Sequence, residues 1–168
     1  ESLYQTMWDT VLANRVWQGE VWNKKKDGSL YPALLIIHPI INRDNQISHL
    51  VAIQHDISIL KQNEQKLHQQ AYYDSLTKLA NRALAYDRLN HAIINAKANK
   101  HIVSILFLDL DKFKNINDTL GHDIGDLLLI EVGKRIQTIC GVSDTVSRLG
   151  GDEFLVILED LQHYEQAI

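Results

Sequence analysis

Apolar positions return at helical spacing at the start of the chain, where Leu3, Met7, Val11 and Leu12 predict a short helix over residues 3–13. A strand-like run, 16–22, follows. It is broken by Lys25-Lys26-Asp27-Gly28-Ser29, in which Asp-Gly signals a hairpin. Further strands are predicted over 31–41 and 47–57, with the polar turn 42–46 between them. Three strands joined by short turns predict an antiparallel sheet. Residues 58–74 then turn to Gln, Lys, His and Glu with neither Pro nor Gly. There Leu60, Glu64, Leu67 and Ala71 step at the spacing of a coiled-coil seam. That pattern fits either a helix–helix contact or a solvated connecting helix.

The rest alternates helix and strand. Residues 81–98 predict a helix burying Leu84, Leu89, Ile93 and Ile94. The nearly continuous apolar run 102–108 predicts a strand buried on both faces. A polar loop over 111–118 leads to a second helix, 124–139, with Leu127, Leu128, Ile136 and Ile139 inward. Strands 146–149 and 154–158 close around the tight turn Gly150-Gly151-Asp152. Helix, strand, helix, strand, strand predicts an α/β sandwich with a mixed or antiparallel sheet.

Composition sharpens this division. All three tryptophans, Trp8, Trp17 and Trp22, fall near the N-terminus, so the two ends belong to different cores. A net charge of −4 gives no surface built to coat nucleic acid. One cysteine, Cys140, excludes an internal disulfide and a cysteine zinc site and fits a reducing compartment. Neither a bilayer-length apolar run nor a signal-peptide layout is present in this stretch. The expectation is a soluble, cytoplasmic protein, with membrane attachment of a longer parent left open.

Two clusters are placed for chemistry. Asp109 stands where the apolar strand runs out, a usual position for functional groups in open α/β sheets. It is followed by Asp111-Lys112-Phe113-Lys114-Asn115-Ile116-Asn117-Asp118, a dense mixture of carboxylates, lysines and amides. Mg²⁺ takes one or two carboxylates and leaves its other positions to water and phosphate, while lysine offers point charge. Gly150-Gly151-Asp152-Glu153 is the second cluster. A hairpin lying beside the first strand would bring Asp152 near Asp109, with Glu153 close by. The same hairpin fits a plain turn with solvated acids. An EF-hand is excluded by Phe113 at a ligand position and a P-loop by the absence of its glycine-lysine pattern. His38, His55 and Cys140 read as structural residues.

Three motifs in order carry a resemblance. Asp74-Ser75-Leu76-Thr77-Lys78-Leu79-Ala80-Asn81-Arg82, then the run Phe107 to Asp118 followed by Gly121-His122 and Gly125-Asp126, then Arg148-Leu149-Gly150-Gly151-Asp152-Glu153-Phe154 together resemble the GGDEF family of diguanylate cyclases. Trp17-x-Gly19-Glu20, Lys26-Asp27-Gly28-Ser29 and Asp56-Ile57-Ser58 are similar to the back half of a PAS sensor domain. The resemblance implies the C-terminal half of a PAS/PAC domain over 1–57, a signalling helix over 58–74 and the first part of a GGDEF domain over 75–168. That last part is expected to have a nucleotide-cyclase-like, ferredoxin-like βαββαβ fold, truncated at its C-terminus.

The activity the resemblance implies is synthesis of cyclic di-GMP from two GTP molecules, with release of two pyrophosphates, by a homodimer of facing domains. In that reading Asp109, the Leu110 carbonyl and Asp152 hold Mg²⁺ or Mn²⁺. Asn117 and Asp126 bind the guanine edge, and His122 lines that pocket. Lys114 stabilises phosphate charge, and Phe113 and Lys112 offer backbone contacts. Asp152 or Glu153 assists deprotonation of the attacking 3′-hydroxyl. The linker seam becomes a parallel dimer contact.

Departures from the family pattern carry expectations of their own. Lys78 and Ala80 replace the usual Gly and Pro, with little effect expected. Gly141-Val142-Ser143-Asp144 replaces the family's Arg-x-x-Asp product-inhibition site, so weak or absent feedback is expected. The match ends before later elements and basic residues of the family, so the fragment alone is expected to be inactive. A silent GTP-binding module and a PAS-led sensor and dimerisation unit are the alternative readings. The PAS ligand and any following phosphodiesterase domain lie beyond the sequence.

Overall fold

The structure, a computed structural model, describes residues 2–163 and 165. The predicted domains extend to residues 1, 164 and 166–168, which lie outside the described residues. Two compact units divide the chain, Glu1–Gln65 and Lys66–Ile168.

In the first unit, helix α1 (Ser2–Leu12) buries Met7 and Val11. Strands β1 (Trp17–Lys24), β2 (Leu30–Ile41) and β3 (Ile47–Asp56) form an antiparallel sheet in chain order. Alternation along β1 and β2 directs Trp17, Val21, Ala33 and Ile37 toward α1, where they share one core with Met7 and Val11. The turns follow from their residues. Asp27 Oδ1 accepts the Ser29 N–H and hydroxyl, and Asn42 Oδ1 accepts the N–H groups of Asp44 and Gln46. Helix α2 (Ser58–Tyr72) buries none of its residues. Its predicted seam residues Leu60, Glu64, Leu67 and Ala71 are all exposed.

The second unit contains α3 (Arg82–Asn99), β4 (Ile102–Asp109), α4 (Phe113–Leu120), α5 (His122–Ile139), β5 (Thr145–Gly150) and β6 (Glu153–Leu161). All strand pairs are antiparallel and the order is β4-β6-β5, which makes a mixed α+β unit. Strand β6 therefore runs through the middle of the sheet. Phe154 and Val156 join Leu79, Leu129 and Val146 in one core, while Leu155 and Ile157 join Ala85 and Ala92 in another.

That order corrects several sequence expectations. Among the described residues the strand buried on both faces is β6 rather than β4, which pairs with β6 alone and leaves Phe107 75% exposed. An apolar run signals a sheet interior, yet only the ladder decides which strand is central. Helix α3 buries Ala85 and Ala92 and packs Leu89, while Ile93 and Ile94 stay exposed. Small residues let it lie close on the sheet, so its buried face is not its most apolar one. Likewise α5 buries Gly125, Leu129 and Gly133, with Ile136 packed alongside, and leaves Leu127 and Ile139 exposed. The polar stretch expected as a loop over 111–118 winds into α4 from Phe113 onward, because Phe113, Ile116 and Asn117 form a half-buried stripe along one side.

Candidate active site

Asp109 is the last residue of β4, and the ladder sets it directly opposite Glu153, the first residue of β6. Directly opposed residues share a face with Cβ atoms about 4.5–5.5 Å apart, and like charges there are destabilising. Asp152 adds a third carboxylate one residue earlier, in the turn. The only cation within reach of Glu153 among the described residues is Arg82, whose Nη2 lies 3.9 Å away with both side chains largely exposed. The end of this ladder is thus an oxygen-rich, electron-rich point that a divalent cation would relieve.

The turn itself needs its glycines. Gly150 has φ +147° and Gly151 φ +53°, values that residues with a side chain rarely adopt. Arg148 fixes the conformation: Nε and Nη2 donate to the Gly151 carbonyl at 2.9 and 2.7 Å, and Nη1 donates to Asp74 Oδ1 at 3.0 Å. The ion pair is well shielded, its side chains being 11% and 20% exposed. Burial pushes the Asp74 carboxyl up, but hydrogen bonds from the Thr77 N–H and hydroxyl and from Arg148 outweigh it and hold the group below the ordinary carboxylate range.

Beyond β4, the Leu110 carbonyl accepts the Phe113 N–H at 3.1 Å and keeps its second lone pair. Lys112 adopts a left-handed conformation at the N-cap of α4, and no side chain caps the helix. The Phe113 and Asn115 amides already donate to the Leu110 and Lys112 carbonyls, so the Lys114 amide and the positive dipole end of α4 are what suit an anion. Lys112 and Lys114 are exposed, and neither makes an ion pair among the described residues.

A second cluster forms where α4 meets α5. The Asn117 carbonyl accepts the Gly121 N–H at 2.9 Å, which folds the chain back so that α5 starts at His122. His122 and Asp126 are exposed, and Gly125 is buried between the helices. Asn117 Oδ1 is buried without any hydrogen-bond partner. Buried amide oxygens are normally satisfied by protein or water, so this one carries acceptor capacity that the protein itself does not fill.

The fold thus gathers Asp109, Leu110, Lys112, Phe113, Asp152 and Glu153 at the strand ends, with Asn117, His122 and Asp126 on the α4–α5 side. Lys114 lies on α4 between them, and no hydrogen bond or ion pair joins the two groups among the described residues. No group of three or more His, Cys, Asp or Glu side chains among the described residues could by itself hold a metal. Two carboxylates and a backbone carbonyl nevertheless match the hard-oxygen donors Mg²⁺ prefers, with water and phosphate completing its shell.

Asp74 and Arg148, which the sequence offers only as parts of motifs, grip each other across the unit. The available signal was an arginine two residues before a glycine pair whose carbonyl needs a donor. Asp144 proved structural: its oxygens accept the N–H groups of Gly141 and Glu159. Cys140 is half-buried at the C-cap of α5, where burial and then Asp144 push its thiol up, away from the reactive thiolate.

Known proteins supply a further comparison. The profile described as "Diguanylate cyclase, GGDEF domain" matches residues 71–168, and that of the PAS domain matches 3–58. The chain is 49% identical over 100 residues to the bifunctional diguanylate cyclase/cyclic di-GMP phosphodiesterase MucR of Pseudomonas aeruginosa, covering 60% of this chain and 15% of that protein. The solved GGDEF domain of TpbB from the same organism superposes with a TM-score of 0.56 at 45% identity, covering 57% of this chain and 56% of that one. The coiled coil and GGDEF domain of DgcB from Caulobacter crescentus, solved with c-di-GMP, gives 0.60 at 29% identity over 66% and 58% of the two chains. The chain spans less than a quarter of the curated relatives that head the comparison.

Proposed function

Because this chain belongs to the GGDEF family, the diguanylate cyclase domain, we propose that it acts in the synthesis of cyclic di-GMP from two molecules of GTP. Residues 75–168 are the first portion of the cyclase domain, 58–74 a signalling helix, and 1–57 the back half of a PAS sensor.

The observation that carries the reading is the ladder register opposing Asp109 to Glu153 at a turn that also bears Asp152. Asp109, the Leu110 carbonyl and Asp152 would hold a divalent cation, Mg²⁺ or Mn²⁺. When bound, such an ion neutralises charge on the transferring phosphoryl group. Lys114 and the uncapped first turn of α4, with the Lys112 and Phe113 backbone, bind and orient the triphosphate. Most of the catalytic effect in such reactions is positioning and electrostatics. Glu153 or Asp152 accepts the proton of the attacking 3′-hydroxyl. Asn117 and Asp126 read the guanine edge beside His122, a carboxylate accepting from guanine N–H groups that adenine does not present.

Each such domain holds one GTP, so the reaction needs two copies facing each other. The exposed Leu60 and Leu67 on α2 suit a parallel contact between copies. No helix among the described residues is long and apolar enough to cross a membrane, and GTP with a free cysteine fits action in the cytoplasm. Gly141 in place of an arginine, and Asp144 engaged by backbone amides, support weak feedback inhibition.

The test is chromatographic detection of cyclic di-GMP after incubation of the full-length protein with GTP and Mg²⁺, beside Asp152→Ala. Product from the wild type and a loss of at least about a hundredfold in the variant are expected. No product from a folded, dimeric, GTP-binding protein would leave a silent GTP-binding module instead.

A further inference from the structure

Gly125 lies inside α5 with ordinary helical geometry, so nothing in its own backbone calls for glycine. Alanine would be the better helix former at such a position. What excludes a side chain is the neighbouring helix. A Cβ built on Gly125 would fall 1.9 Å from Asn117 Oδ1, 3.0 Å from Asn117 Cγ and 3.3 Å from Phe113 Cζ. The first distance is far inside van der Waals contact, and the colliding atom is the buried, unpartnered amide oxygen.

These two facts explain each other. An amide oxygen without a partner is disfavoured relative to one that is satisfied, so an unhindered side chain would turn toward water. Asn117 stays in because the bare α-carbon of Gly125 provides a notch that fits its amide and because Phe113 closes one side. We infer that Gly125 is a positioning residue: its missing side chain is the seat that fixes the rotamer of Asn117 and so presents the amide to a nucleobase. The inference rests on the proposed nucleotide reading and adds to it a residue that never touches the ligand. Asp126, the next residue of α5, shares this mounting, so one helix sets both base-reading groups at a fixed separation.

The test uses the full-length protein with Mg²⁺ and four forms: wild type, Gly125→Ala, Asn117→Ala and the double variant. Calorimetric titration with GTP should show Gly125→Ala binding about tenfold more weakly, the worth of one directed hydrogen bond. The double variant should bind no more weakly than Asn117→Ala alone, because the methyl group then has no amide to displace. The Asn117 side-chain amide resonances should shift in Gly125→Ala, while the melting temperature holds or rises. Unaltered GTP affinity in Gly125→Ala, unmoved Asn117 resonances, or penalties that simply add in the double variant would each overturn the inference. If Gly125→Ala fails to fold, restoration of folding by Asn117→Ala supports the seat and failure to restore it refutes it. A wild type that does not bind GTP would remove the nucleotide reading, while the Asn117 resonances still decide whether Gly125 holds the side chain.

Discussion

The two units each build a three-stranded antiparallel sheet, yet they use it differently. In the first, strands are neighbours in the order they are made, one face carries the core, and β3 is exposed along nearly its whole length. In the second, the last strand made is the central one, and it is buried on both faces. Hairpin order brings together residues already close in sequence. Only the insertion of β6 between β4 and β5 brings Glu153 opposite Asp109, and that is where the acidic site arises. Chemistry that needs groups from distant stretches is found in the sheet with the non-sequential order.

If the second unit depends on its central strand, Phe154→Ala should be the most damaging change. Phe154 is fully buried, and truncating such a ring costs about 3–5 kcal/mol. Tryptophan fluorescence reports only the first unit, which holds Trp8, Trp17 and Trp22. Hydrogen exchange in β6 should therefore accelerate while the fluorescence midpoint in urea stays put. A joint shift of both would show that the two sheets unfold as one.

Arg148→Ala comes next, at about 2–3 kcal/mol, since it strips the partner from a shielded Asp74 and frees the Gly151 carbonyl. The same exchange experiment would read it, with the largest effect at residues 150–153. Acid should act in the same place. Asp74 has its carboxyl lowered in the native state, so the stability it contributes is present above the ordinary carboxylate value near about 3.9 and is lost as the pH falls through its lower native value. Glu159 works in the opposite sense: burial and then Asp160 push it up, so its contribution is present at low pH and lost as the pH rises through its raised value. Asp74→Asn should flatten the acid limb of the second unit's stability profile and leave the fluorescence profile unchanged.

The smallest effect belongs to the first unit. Lys61 pairs with Glu20 at 2.9 Å, but both side chains are widely exposed. Lys61→Ala should barely move the fluorescence-monitored unfolding midpoint, and added salt should erase the difference.

Much of this was legible in the residues. Asp27-Gly28 and Gly150-Gly151 marked their turns, because positive φ has few tenants, and strand-like runs bounded by polar turns located the strands of the first unit. The acidic ladder end was foreseeable as soon as the hairpin was set beside the first strand. What escaped was decided by tertiary contact. Ala85 and Ala92 outrank Ile93 and Ile94 on the buried face of α3 because closeness of approach, not apolarity, chose that face. Helix α4 was hidden in a stretch whose polar residues looked like a loop. The grip of Arg148 on Asp74 spans most of the second unit's length, and no local pattern announces it.

The exposed flank of β4 has a consequence for handling the protein. Among the described residues Ile105, Phe107 and Leu108 leave apolar surface on a strand paired on one side only, a ready template for another strand to join. At neutral pH the net charge of −4 keeps molecules apart, but that repulsion vanishes near the isoelectric point of about 6.0. Colloidal stability of this chain is therefore set by buffer choice at least as much as by folding: mildly alkaline solutions keep it dispersed, and slightly acidic ones let the edges find each other.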